Sequence, residues 1–169
     1  MNRWIWMLAV AMLSACASYG GRNLQAGEAG LEDVLREMGQ PAMRWKDADG
    51  SLQLAYPKGP SGFETYLARI GPDGKLQSIR NVLEAGSFAR ILPGMTKEQV
   101  LRILGPSEPS MTFYFKARDE LVWDWRFQNV GMVAAHFLVL FDASAGTVRS
   151  SMIEIENFSA ARGHAGHGR

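Results

Sequence analysis

Three histidines, one cysteine and one knot of carboxylates are the groups in this chain equipped to do chemistry. His136 stands between Ala135 and Phe137 in a strand-like run. No second histidine and no Cys–His pair accompanies it there, as nucleophilic catalysis would need. It reads as a structural or sheet-face histidine. Asp119, Glu120 and Asp124 place three carboxylates near one hairpin, a set suited in principle to a hard cation or to acid–base work. Turn chemistry and surface pairing of Asp124 with Arg126 account for the same residues. His164 and His167 lie in a Gly/Ala-rich tail without carboxylate or thiol partners for a metal. No glycine-rich phosphate loop occurs. The residues therefore imply no catalytic group, no metal site and no cofactor, and the chain reads as a non-enzyme.

What remains is binding chemistry. Trp123 and Trp125 are two apart and share a face, either as core beneath a helix or as the lining of an interaction groove. Tyr114, Asp124, Arg126 and His136 fall on the other side of the same alternation and form the candidate partner-binding surface. Lys+Arg number 18 and Asp+Glu 17, a balance that argues against a nucleic-acid partner. The hydrophobic share, 47%, is too high for a disordered chain.

The single cysteine has its own context. Arg3 precedes an uncharged run, Trp4 to Leu13, too short to span a bilayer, and Ser14-Ala15 follows. Leu13-Ser14-Ala15-Cys16 resembles the lipobox of bacterial lipoproteins, whose cysteine is lipidated and becomes the new N-terminus. The resemblance implies a signal peptide over 1–15, a lipid anchor at Cys16 and attachment to the membrane through it. Ala17 after the cysteine implies the outer membrane, on its periplasmic face. Cleavage there removes Arg3 and leaves the charges balanced.

The elements that must position these groups show an internal repeat. The helix-like stretch Leu31 to Gly39 matches Lys97 to Gly105 at an offset of 66, with Glu32/Glu98, Val34/Val100, Leu35/Leu101, Arg36/Arg102 and Gly39/Gly105 identical. A proline follows each, at Pro41 and Pro106. Thr96 and Gln99 form a capping box, and Met95 is placed to staple onto Val100. Strand-like runs follow each helix: 42–46, 52–56, 63–70 and 76–83, then 110–116, 121–128, 132–141 and 147–156. Asp49-Gly50 and Gly71-Pro72-Asp73-Gly74 are turn signals. The expected fold is α+β: two tandem helix-plus-antiparallel-β-meander units, with helices packed on one face of the sheet. Segment 16–29 reads as a flexible tether, 30–86 as the first unit, 87–157 as the second, and 158–169 as a disordered tail.

Pro93, Gly94, Met95, Thr96, Val100, Leu104, Gly105 and Pro106 carry a family likeness. The stretch from Ile91 to Pro106 resembles the opening of the SmpA/OmlA family of small outer-membrane lipoproteins, which includes the BamE component of the β-barrel assembly machine. The resemblance spans Phe88 to about Ile155 and implies a BamE-like scaffold, with that machine or another envelope protein as partner. Two departures stand out. This chain has two units where the family has one, and the first lacks the Pro-Gly-Met-Thr turn. The tandem arrangement is similar in architecture to β-lactamase inhibitor protein. That likeness implies the other reading, a periplasmic inhibitor or sensor binding an enzyme or cell-wall ligand through its sheet.

Overall fold

The computed structural model describes residues 21–59 and 62–156. The expected signal segment, Cys16 and the expected tail at 158–169 lie outside the described residues. The chain forms an α+β structure with two four-stranded antiparallel sheets. The first half contains α1 (Leu31–Met38), β1 (Met43–Lys46), β2 (Leu52–Pro57), β3 (Thr65–Ile70) and β4 (Leu76–Asn81). A short helix α2 (Ala85–Phe88) leads to α3 (Lys97–Leu104), β5 (Phe113–Phe115), β6 (Glu120–Gln128), β7 (Ala134–Asp142) and β8 (Thr147–Ile155). Each sheet is a simple meander in sequence order.

The two longer helices keep the repeat to the residue, since α1 and α3 begin and end 66 positions apart. Each ends when its glycine turns to positive φ, 79° at Gly39 and 72° at Gly105, and donates its N–H to the leucine four residues back. The starts differ. Thr96 accepts from the Gln99 N–H while the Gln99 side chain accepts from the Thr96 N–H. Gly30 has no side chain to offer, and there the Asp33 carboxylate accepts from the Gly30 N–H instead.

The core divides into clusters that show what each element touches. Val34 and Met38 of α1 join Leu54, Tyr56, Ala68, Ile70 and Leu76 on one side of the first sheet. Trp45, Ala55, Leu67 and Val82 gather on its other side with Leu101 of α3. Val100, Ile103 and Leu104 of α3 join Trp125, Phe127, Phe137, Val139 and Phe141 from the second sheet. Burying each valine, leucine, isoleucine, phenylalanine or methionine among them contributes about 1.5–3 kcal/mol. Helix α3 thus touches both sheets. Gly105 seats its C-terminal end against the first one, where an added Cβ would meet Thr65 Cγ2 at 2.7 Å. Arg102 pairs with Asp47 and lies over the Trp45 ring, and Gln53 donates to the Arg102 carbonyl at 2.7 Å.

Several expectations need correction. Residues 21–29, expected within a tether, form turns that pack Leu24 and Ala29 on the first core cluster. Gly27 and Ala29 also exchange backbone hydrogen bonds with Leu76. The strand expected at 110–116 shrinks to three residues between two 3-10 turns. Pro109 starts the first turn, and Glu108 caps it by accepting from the Ser110 N–H. Asp119 closes the second in the left-handed region, at φ 46°. Helix α2 was not expected at all, since four residues carry too little periodicity to detect.

Candidate functional site

The candidate surface is the side of the second sheet turned away from α3. Register assigns it. Val122, Asp124 and Arg126 of β6 stand opposite Leu140, Leu138 and His136 of β7, and those last three stand opposite Ser150, Met152 and Glu154 of β8. Phe113 pairs with Val122 and Phe115 with Glu120, so both phenylalanines look out on the same side. The other alternation holds Trp125, which is 2% exposed and donates its indole N–H to the Gly105 carbonyl at 3.3 Å. Trp123 is partly buried against Phe141. The core reading holds for Trp125, while Trp123 packs on the edge of the same cluster and stays partly exposed. Among the described residues the exposed aromatics are Phe113, Tyr114 and Phe115.

Three of the four sequence-predicted residues come together. His136 Nδ1 lies 2.9 Å from Asp124 Oδ1, and its Nε2 lies 3.0 Å from Glu156 Oε1. Glu156 in turn accepts two hydrogen bonds from Arg126, at 2.8 and 2.9 Å, in the forked geometry guanidinium favours. The Arg126 guanidinium also stacks over the Phe63 ring at 4.2 Å, tying the patch to the first half of the chain. Tyr114 is not part of this set. It pairs with Leu121, so it belongs to the opposite alternation, and its hydroxyl bonds to Asp119.

Asp124 also departs from expectation. The sequence places it at the surface beside Arg126, yet it is only 5% exposed and its partner is His136. The segment after α3 explains why. Pro106 to Pro109 run beside Asp124, Trp125 and Arg126 around a cavity of about 220 Å³, and the Glu108 N–H donates to the Asp124 carbonyl. Glu156 was missed because it lies at the end of a strand-like run, where alternation gives no sign of what its side chain meets.

Charge in this row is coupled. Burial pushes the Asp124 carboxyl up, with the His136 hydrogen bond pulling the other way. Burial works against the His136 cation, but hydrogen bonds to Asp124 and Glu156 outweigh it and raise the ring above its ordinary value. The Arg126 hydrogen bond holds Glu156 down at about 2. Two acceptors face the two ring nitrogens, so the arrangement is fully satisfied with the imidazolium, which donates from both.

That geometry constrains the chemistry. The Nε2 a general base would offer is occupied by Glu156, and no imidazole lone pair points outward for a metal. Glu156 is itself committed to Arg126. The patch is a charged seam of mutually paired groups beside an apolar slope. On that slope, Phe113, Phe115, Val122, Leu138, Leu140 and Met152 line a shallow depression of about 300 Å³. No described helix is long and apolar enough to cross a membrane.

Comparison with protein-family models and with curated proteins finds no match to this chain. Among solved structures, it is similar to an extracellular protein containing a SCP domain from Bacillus anthracis str. Ames, with 12% identity and a TM-score of 0.29. The match covers 83% of this chain and 46% of that one, less than half its length. A TM-score of that size carries no argument about fold or function.

Proposed function

We propose that the chain is a non-catalytic, lipid-anchored lipoprotein of the outer membrane, facing the periplasm, that acts as a BamE-like scaffold for β-barrel assembly or envelope integrity. In this reading it is built of two tandem helix-plus-meander units, with α1 and α3 each covering one face of its own sheet. The observation that carries the binding role is the outer side of the second sheet. There, exposed Phe113, Phe115 and Met152 border a charge seam whose titratable groups are all engaged with one another. Such a surface is built for a partner rather than for turnover. The anchor follows from the lipobox resemblance at Cys16. Acyl chains on that residue confine the domain to the membrane surface and raise its effective concentration for a neighbouring protein.

Replacing Cys16→Ala tests the anchor. The variant is expected in the soluble envelope fraction, whereas the parent pellets with membranes. A variant that still pellets overturns the lipoprotein reading. Reciprocal capture with assembly-machine subunits from detergent extracts tests the scaffold role. Their absence, together with normal outer-membrane protein levels in a deletion strain, overturns it. The exposed Phe113-Tyr114-Phe115 run favours one further reading, an inhibitor or sensor module that uses this sheet on an enzyme or cell-wall ligand.

A further inference from the structure

Four strands lie at sheet edges, and three of them are blunted. β1 has four residues and exposes Arg44 and Lys46. β4 follows a register shift in β3, and the Leu76 backbone is taken by Gly27 and Ala29. β5 has three residues between two 3-10 turns. β8 is different. Its first residues are covered, since Val148 exchanges backbone hydrogen bonds with Gly94 and Met95. From Ser150 to Ile155 the backbone makes no hydrogen bond outside its ladder with β7 among the described residues. A register shift leaves Arg149 as an extra residue just before this stretch, but 150–155 itself holds no proline, no lysine and no bulge, and Glu154 is its one charge. All six side chains are exposed, including Met152 on one side and Ile153 and Ile155 on the other.

We propose that the 150–155 edge of β8 is a strand-addition site that takes an extended peptide segment of a partner protein, apolar at alternate residues and basic between them. The inference rests on the partner-binding reading of the second sheet and names the kind of partner. Unpaired backbone N–H and C=O groups select an extended strand. Ile153 and Ile155 share one side and ask for apolar neighbours across the new pair. On the other side Glu154 has no ion-pair or hydrogen-bond partner among the described residues, so a lysine or arginine opposite it completes a charge pair. A second copy of this chain fits less well. Six strand residues cover far less than the ~1,600 Å² of a standard stable interface, and the one base in the strand, Arg149, is already paired with Asp142.

The test uses the full chain and a capped octapeptide, TVKVTVKV, which places valines on one side and threonine and lysine on the other. Amide hydrogen exchange is read across 150–155. Peptide at about ten times its Kd is expected to slow the outward-facing amides there about tenfold. The same peptide N-methylated at alternate residues, which removes its backbone donors, is expected to give no protection. Glu154→Lys is expected to reverse the preference between this peptide and TVEVTVEV, and as a change at an exposed position it leaves the core untouched. No slowing at the highest soluble peptide concentration overturns the proposal, as does equal protection by the methylated peptide or an unchanged charge preference. Protection that rises with protein concentration alone also overturns it, by assigning the edge to a second copy. The outcomes separate from those of the anchor test. A chain that takes the peptide yet ignores the Cys16→Ala change keeps strand addition and loses the lipoprotein reading.

Discussion

His136 sits between two carboxylates that pull on it from opposite sides, and the pH behaviour of the second sheet follows from that position. Its pKa is raised in the folded chain, so its contribution to stability is complete below the unfolded value of about 6.5. The contribution is lost as pH climbs through the higher folded value. The raised Asp124 carboxyl has the same sign, since the folded state holds its proton longer. Glu156 runs the other way. Held at about 2, it stabilises above its ordinary value of 4.5, and that gain is lost as pH falls through about 2. The His136–Glu156 pair is therefore best satisfied between roughly pH 4.5 and 6.5. Urea midpoints should fall on the alkaline side of that window. His136→Ala should remove the histidine's share of this slope, leave that of Asp124, and cost about 1–3 kcal/mol, because Asp124 is then buried without its partner. A parent protein with flat stability from pH 5 to about 8 would sink this account.

The helix pair supplies a controlled comparison at the scale of elements. Gly39 and Gly105 occupy one repeat position with nearly one conformation, yet their surroundings differ. Nothing lies within 4 Å of a Cβ built at Gly39, while at Gly105 Thr65 Cγ2 would lie 2.7 Å away. Gly39→Ala should cost the backbone strain alone, about 1–3 kcal/mol. Gly105→Ala should cost a further ~1–3 kcal/mol of overpacking, read as the difference between their urea midpoints. Thr96→Ala should cost about 1 kcal/mol by removing the cap on α3. The positions of these helices were legible because capping residues, a closing glycine and the 66-residue offset all gave one answer. Most strands were legible from alternation and turn residues. The short β5 was not, because Pro109 and the left-handed Asp119 act on the backbone and leave the Phe-Tyr-Phe alternation intact. Alternation also assigned Asp124, Arg126 and His136 to one side but said nothing of what covers that side. So the burial of Asp124 under the Pro106–Pro109 segment, and its pairing with His136, had to come from the structure.

On the scale of the whole molecule, α3 decides whether the halves behave as one. Leu101, Arg102 and Gly105 engage the first sheet, and Val100, Ile103 and Leu104 engage the second. A single unfolding transition is expected. Fluorescence with Trp45 as reporter in the first half and Trp125 in the second should coincide with far-UV circular dichroism. Arg102→Ala removes the Asp47 pair and the contact over Trp45, and it should pull the two transitions apart with Trp45 released first. Separate transitions in the parent chain would show that α3 belongs to one half only.

The shared helix also sets an order of events during synthesis. The first sheet is complete in the chain before α3 exists, and until Leu101 and Gly105 emerge its Trp45–Ala55–Leu67–Val82 side has no cover. A nascent first half is thus an adhesive intermediate, open to whatever holds unfolded chains at that moment. Its passage to the native state waits on a helix encoded in the other half.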